Sequence, residues 1–255
     1  MFYGEPRSLP IWLVDPDDAT HVQPLAPALT AKMHLNNLQS APEVLEIGCL
    51  LVLWGLPVDL VNTILDAAGA VLECREESDA TLYGRAPLNL ECLRLDVPAM
   101  DCDGLEILRP VAIILETVSR DQGWASDAPE LNNSYVGCHS WIEYQVQDVL
   151  GHNLIRTSCS NFRACEHYRR HLTYVTADDV LSLVAPGTSI ALRLRAQYGG
   201  WSNHIQYARI SVVASVALRE DVDAPAILAA LMLTRLPHVH ASTVDASVSP
   251  VCVLM

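Results

Sequence analysis

Two glycine–tryptophan pairs, Gly123-Trp124 and Gly200-Trp201, place a large aromatic ring on a polar loop beside an apolar stretch. Such an indole either folds inward and closes the core, or stays at the surface as a flat platform for a ligand. Gly123 lets the chain turn back and favours the inward arrangement for Trp124, whereas both arrangements are open for Trp201. As a platform, the rings would hold a sugar or an aromatic ligand, oriented by nearby amide and imidazole groups. The residues of this candidate site are Gln122, Trp124, Trp201, Asn203 and His204.

A second set of side chains follows a strand-like alternation. In the stretch 141–147, Trp141 and Glu143 lie on the face opposite the apolar residues. Arg193 and Arg195 alternate in the same way in a later stretch. An arginine can stack on a tryptophan, and it can pair with a glutamate. The pattern favours structural cross-linking of two strands, with a concave binding surface as the alternative.

No motif for nucleophilic catalysis, phosphate binding, dinucleotide binding or zinc-protease chemistry occurs in the sequence. We therefore expect a non-enzymatic protein without a cofactor. The alternative is a small cyclase or isomerase that uses a dry pocket of the fold, with Glu143 or His204 as acid or base. Chemistry of that kind needs little sequence signature, so both hypotheses stay open.

Four further side chains have the right chemistry for zinc, namely Cys159, Cys165, His167 and His171. Their spacing matches no familiar zinc module, and in an extended chain the two histidines stand too far apart to chelate one ion. We expect no metal site here.

The last four residues, Cys252 to Met255, read CVLM and fit a prenylation signal in which the final Met favours a farnesyl group. A single lipid anchors only weakly, and the neighbouring sequence has no basic cluster. The pattern makes Cys252 a candidate lipidation site on a cytoplasmic protein, with peripheral membrane binding only if the lipid is attached.

The charge is strongly negative, at −14 overall, but it is unevenly distributed. The stretch 109–216 carries nine arginines and nine acidic residues, so the acidic excess lies outside it. An acidic shell opposes binding to nucleic acid or to anionic membranes. We expect no nucleic-acid partner, and the eight cysteines, which have no paired spacing, are predicted to be reduced.

Four regions are predicted along the chain. They are an irregular arm over 1–23, a helical segment and connector over 24–108, a β-sandwich over 109–217, and a short helix with a flexible tail over 218–255. Helical periodicity indicates helices over 27–38, 42–53, 57–74 and 225–236, with one edge strand over 90–97 in the connector.

Strand patterns dominate the centre of the chain. The stretch 111–118 is apolar on both faces, as in a central strand. Alternation predicts further strands over 141–147, 169–176, 190–196 and 205–216, with a short helical turn before Pro186-Gly187. The predicted fold is mainly β: an antiparallel β-sandwich with an N-terminal helical segment.

The helix at Leu56–Leu65, LPVDLVNTIL, resembles the opening of an F-box, with its Leu-Pro, acid, Leu and Ile-Leu pair. The resemblance implies docking on the adaptor of a cullin-type ubiquitin ligase. The alternative is an ordinary capped helix that packs on the core.

The stretch 109–216, with DQGW, SWIEY and the final AQYGGWSNHIQYARI, resembles uncharacterised fungal proteins that join an F-box-like helix to a sandwich. It is also similar to the F-box-associated, galactose-binding-like domain. This resemblance implies a jelly-roll sandwich whose loops bind a ligand, and it places Tyr198, Trp201 and Asn203 in the matching last loop. The leading hypothesis is an intracellular recognition module for a glycan or a peptide, with a possible role as a ubiquitin-ligase substrate adaptor.

Overall fold

The computed structural model describes residues 40–99 and 102–235. In these two ranges the chain forms nine β-strands, four α-helices and one short 3-10 turn. The strands are β1 Val71–Ser78, β2 Leu82–Arg85, β3 Leu88–Asp96, β4 Leu105–Arg120, β5 Ser140–Gln147, β6 Asn153–Ser160, β7 Arg169–Val175, β8 Ser189–Ala196 and β9 Ser202–Leu218. The helices are α1 Ala41–Leu53, α2 Val58–Ala68, α3 Asp178–Leu181 and α4 Ala224–Arg235.

The strands form two antiparallel sheets that face each other. One sheet, here called sheet A, has the order β1-β9-β4-β7, and β2 also pairs with β9; sheet B has the order β3-β8-β5-β6. Because β1 and β2 lie in line along β9, they act as one interrupted strand. Two four-stranded antiparallel sheets connected in this order make a jelly roll. The predicted antiparallel β-sandwich with an N-terminal helical segment is therefore confirmed.

The main core lies between the two sheets and follows directly from alternation along the strands. In β5, Ile142, Tyr144 and Val146 are buried, while the residues between them lie on the outer face. Ile190, Leu192 and Leu194 of β8 do the same on the neighbouring strand. Side chains of β4 and β9, among them Ile113 and Ile210, complete the core from sheet A.

A second core joins the helices to one end of the sandwich. Val44 and Leu45 of α1 and Val61 and Leu65 of α2 pack there against the ends of β1, β4 and β9. The side chain of Asn62 fixes α2 to the end of β9, since its amide donates to the Leu218 carbonyl at 3.0 Å and accepts from the Leu218 N–H at 2.7 Å. Helix α4 packs on α1 around Cys49 and Leu228.

The structure divides the chain differently from the predicted regions. Helix α2 ends at Ala68, because Gly69 adopts a left-handed conformation with φ of +74°, and the chain then becomes extended. The predicted helix over 57–74 is thus too long, and Cys74 lies in β1. Strands β1 to β3 belong to the sandwich, so the sandwich begins at Val71 and the connector is largely part of it. The edge strand predicted over 90–97 is β3, at the edge of sheet B.

Three predicted features lie outside the described residues. They are the arm over 1–23, the helix over 27–38 and the lipidation site Cys252. Of the helices that the structure describes, none has both the length and the apolar character needed to cross a bilayer.

Candidate functional site

The two loop tryptophans lie at the end of the sandwich away from the helices, and they have opposite environments. Trp201, directly before β9, is buried, with 7% of its surface exposed. The guanidinium of Arg163 lies over its ring at 5.3 Å, and the His139 ring meets it edge-on at 5.1 Å. Trp201 is therefore a structural residue that closes this end of the core, and not a ligand platform.

Arg163 organises the loops around Trp201 although it is itself buried. Its Nε donates to Asn132 Oδ1 at 3.1 Å, and its two terminal nitrogens donate to the carbonyls of Gly137 and Asp127. The Asp127 carboxylate lies 3.1 Å from the guanidinium. A buried charge is tolerated only when it is paired and hydrogen-bonded in this way. Three loop segments are thus held together by one side chain.

A buried polar network ties the two sheets together beside Arg163. Asn161 accepts from Ser119 Oγ at 2.7 Å, and its amide donates to Ser140 Oγ and to Asn203 Oδ1, both at 2.9 Å. Asn203 in turn donates to the carbonyls of Trp141, at 2.8 Å, and Arg195, at 3.1 Å. Since Asn203 is fully buried and uses its amide in this network, it has no group free for a ligand.

The loop that carries Trp124 is fixed by a buried carboxylate. Asp121 is fully buried; its two oxygens accept from the backbone N–H groups of Gly123 and Ala164, each at 2.7 Å. Burial raises the pKa of Asp121, and these N–H groups oppose that shift. Gly123 has a φ of +86°, a conformation that favours glycine. The turn before Trp124 is therefore rigid and does not depend on the tryptophan for its shape.

The indole of Trp124 is held at the surface, with 59% of the residue exposed. It lies beside Gly200, where an added Cβ would be 3.9 Å from the ring carbon Cη2. Gln122 donates to the Trp124 carbonyl at 2.6 Å and accepts from the Ser202 N–H at 3.2 Å. Gln122 thus links the two glycine–tryptophan loops and helps to fix the position of the Trp124 backbone.

Two further aromatic groups surround this end of the sandwich. Tyr198 is exposed, and its ring meets His139 edge-on at 4.7 Å. His204, half-buried on β9, stacks on the exposed ring of Tyr83 at 5.5 Å, and its Nε2 lies 3.0 Å from Ser202 Oγ. Burial lowers the pKa of His204, so its ring is neutral at pH 7.

Trp141 and Glu143 lie on the outer face of sheet B, as predicted, and contact each other. The Trp141 indole donates to Glu143 Oε1 at 2.8 Å. Arg195, on the adjacent strand β8, lies over the Trp141 ring at 5.9 Å, and its Nε is 3.5 Å from Glu143 Oε2. These contacts cross-link strands β5 and β8, which is the structural role that the sequence pattern favours for these residues.

The candidate residues lie apart from a cavity in the described part of the chain. A cavity of about 390 Å³ lies at the opposite end of the sandwich, lined by the start of β4 and the segment before β8. It is mainly apolar, with Glu106, Arg109 and Arg219 among its lining residues, and none of the eight candidate ligand-binding residues reaches it.

The zinc hypothesis finds no support in residues 40–99 and 102–235, where no cluster of metal-ligating side chains occurs. Burial raises the pKa of the Cys159 thiol to about 12, so this cysteine stays protonated. Burial also lowers the pKa of His171 to about 4, and its ring meets Tyr135 edge-on.

The sequence matches no protein-family model and no curated protein. Among solved structures, a chain of the infectious bursal disease virus Gx strain is similar, with 11% identity, 60% of this chain and 33% of that chain covered, and a TM-score of 0.34. The VP2 subviral particle of the same virus gives 11% identity, 58% and 37% coverage, and a TM-score of 0.33. This chain spans about a third of the length of those chains. Similarity this low does not bear on function, and the jelly roll is established by the strands of this chain itself.

The structure brings six of the eight candidate residues to one end of the sandwich, and it separates them by role. Trp124 and Tyr198 are exposed, whereas Trp201 and Asn203 are buried. Two of the residues that build this end, Asn161 and Arg163, were missed in the sequence. Each is a polar residue in a loop, and only the folded chain shows what it pairs with.

Proposed function

We propose that this chain is a non-catalytic recognition protein that binds a ligand on the exposed indole of Trp124. One observation carries the proposal. The loop before Trp124 is held by hydrogen bonds and leaves the indole exposed, whereas Trp201 at the same end of the sandwich is buried. An exposed indole offers a large apolar contact area, and tryptophan is enriched among the residues that dominate binding energy.

Trp201 provides the comparison within the molecule. It also follows a glycine, yet it is covered by Arg163 and His139. The exposure of Trp124 is therefore not a general property of tryptophans in these loops. The adjacent glycines 199 and 200 leave the space beside the ring open, so a flat ligand can reach the indole face.

A glycan is the ligand class that we infer. The apolar face of a sugar ring stacks on an indole, and a shallow site at the tip of a sandwich suits the end of a glycan chain. The hydroxyl of Tyr198, two residues before Gly200, is the exposed polar group that can orient such a ligand. A peptide with an exposed aromatic or aliphatic side chain is the competing ligand in the test below.

The test combines a glycan array with a titration of monovalent ligands, followed by the indole N–H signals in an NMR spectrum. We expect one class of glycan to shift the Trp124 signal, and Trp124→Ala to weaken binding at least about 10-fold, as for a central aromatic contact. Trp54→Ala is the matched control, since Trp54 is exposed on the helices at the other end of the sandwich.

One result would overturn the proposal, and another would change only its ligand class. Binding that survives Trp124→Ala would place the site elsewhere. If the Trp124 signal responds to peptides and to no glycan, the ligand is a peptide, and Trp124 remains the binding residue.

The surroundings of Glu143 favour recognition over the cyclase or isomerase alternative. Its carboxylate accepts a hydrogen bond from Trp141 and faces Arg195 on the outer face of sheet B, and Glu143 does not line the cavity at the helical end. The adaptor role of the F-box-like segment, a cytoplasmic location and the lipid on Cys252 stay predictions.

A further inference from the structure

The helices at the other end of the sandwich expose an apolar surface that nothing in the sandwich covers. Six large side chains contribute to it, and we call this surface the helical face: Ile47, Leu50 and Leu53 of α1, Trp54 directly after α1, and Met232 and Leu233 of α4. Trp54 is 77% exposed and Leu233 is 69% exposed. Helices α1 and α4 pack side by side, so their outward sides form one surface.

Helix α1 is apolar on its inward side and, after Glu43 in the first turn, also on its outward side. Val44, Gly48 and Cys49 point into the core, while Ile47, Leu50 and Trp54 repeat at helical spacing on the outward side. A surface helix normally carries polar residues on its outward side, and a helix that is apolar all round is normally buried. The outward side of α1 therefore has the composition of a surface that is buried in an interface.

Helix α4 carries smaller side chains than α1 on most of its outward side. Its outward residues are small and uncharged around Leu233, with exposed alanines at 226, 229 and 230. Small residues form a shallow stripe into which another helix can pack closely. Bulky side chains on α1 and a shallow stripe on α4 allow two copies to pair across a two-fold axis, α1 of each copy on α4 of the other.

The area of the helical face matches the requirement of a stable dimer. If each large side chain is given the roughly 150–250 Å² of an aromatic residue, the exposed fractions correspond to at most roughly 500–850 Å², and the alanines add to this. The largest apolar patch on a typical monomer is about 300–600 Å², whereas a standard interface buries about 800 Å² on each partner.

We infer that the helical face is a self-association surface, and that a second copy of this chain covers it in a two-fold dimer. The net charge of −14 opposes this pairing at low salt. The dimer consequently tightens as salt is raised, because screening weakens the repulsion and leaves the apolar contact intact. A basic partner protein would show the opposite salt dependence.

The experiment is sedimentation velocity on the full chain over about 0.1–100 µM protein, at low and high salt. The inference predicts a reversible dimer whose dissociation constant falls with salt. Leu233→Glu and Leu50→Glu each raise that constant at least about 10-fold, because each buries a carboxylate in an apolar contact. Leu233 is the more exposed of the two, so its variant tests the surface even if Leu50→Glu does not fold.

The matched control is Leu150→Glu, the same change at a residue that is 79% exposed in the turn between β5 and β6. It leaves the dimer unchanged. The inference is overturned by a monomer at every concentration, by a dimer that Leu233→Glu leaves intact, or by a monomer that binds a ubiquitin-ligase adaptor through the same residues.

Discussion

The two ends of the sandwich differ in what they bury and what they expose. At the loop end, polar side chains are buried and almost all their groups are paired, and one of two tryptophans is covered. At the helical end, the described residues make fewer buried polar contacts, such as the clamp of Asn62 and the bond from Arg219 to the Leu105 carbonyl, and large apolar side chains are exposed. The two ends therefore differ in what they expose: the loop end exposes one indole, and the helical face exposes a group of large apolar side chains, on which the proposed dimer rests.

This difference separates stability from recognition in the molecule. Burial and pairing at the loop end fix a rigid frame, and Trp124 is the part of that frame available to a ligand. The helical face has no comparable polar frame and is suited to a broad apolar contact. We therefore expect changes at the loop end to affect mainly folding, and changes on the helical face to affect mainly association.

The largest expected effect is that of Arg163→Met. The change leaves the carbonyls of Asp127 and Gly137 without their donor and removes the cover of Trp201. Each partly buried acceptor left without its donor costs about 1–3 kcal/mol of the free energy of unfolding, and Arg163 serves several of them. Urea unfolding followed by circular dichroism measures it.

Arg156→Met is the matched control, because Arg156 pairs with Asp179 at the surface. Exposed pairs contribute about 0–1 kcal/mol, so the control should unfold almost as the parent does. Equal effects of the two substitutions would contradict the assignment of Arg163 as the centre of the loop frame.

The second effect is a pH dependence that arises at His171. Burial and the nearby Arg169 lower its pKa to about 4 in the folded protein, while an unfolded histidine has a pKa of about 6.5. The unfolded chain therefore binds more protons in this interval, and stability falls as the pH drops from about 6.5 to about 4, by about 3 kcal/mol in total.

Comparison of the parent with His171→Gln isolates this contribution from the titration of the carboxylates. The variant should lose less stability between pH 6.5 and 4 than the parent does, in urea unfolding at a series of pH values. Parallel pH profiles of the two proteins would show that His171 is accessible to protons in the folded state.

The smallest expected effect concerns the clamp at the helical end. Asn62→Ala removes both hydrogen bonds to the Leu218 backbone and should cost about 1–2 kcal/mol. Thr63→Ala, which removes a bond within α2 itself, is the control and should be close to neutral. A neutral Asn62→Ala would mean that packing alone positions α2, and the helical end would then have no polar frame.

The strands with clear alternation could be predicted from the sequence, and those without it could not. Strands β4, β5, β8 and β9 each place apolar residues on one or both faces, which is why their patterns are recognisable. Strand β6 was missed because it is an edge strand with few apolar residues. The start of β1, residues 71–74, was assigned to the preceding helix, and its acidic, exposed second half was assigned to the connector.

The sequence predicted which loops carry the candidate residues, but it did not predict which of these residues are exposed and which are buried. Residue type shows that a tryptophan follows a glycine, but the direction of its ring depends on partners far along the chain. Trp201 is covered by Arg163, 38 residues before it, in a loop with no regular pattern. Such a pairing leaves no local signal, so burial of Trp201 and exposure of Trp124 required the folded structure.

Hydroxyl-radical footprinting of the tryptophans, at low and at high protein concentration, tests the comparison of the two ends most directly. The account predicts that Trp201 is protected at both concentrations and that Trp124 is reactive at both. Trp54 should react at low concentration and become protected at high concentration, as the helical face is covered. A reactive Trp201, a protected Trp124, or a Trp54 that stays reactive at high concentration would contradict it.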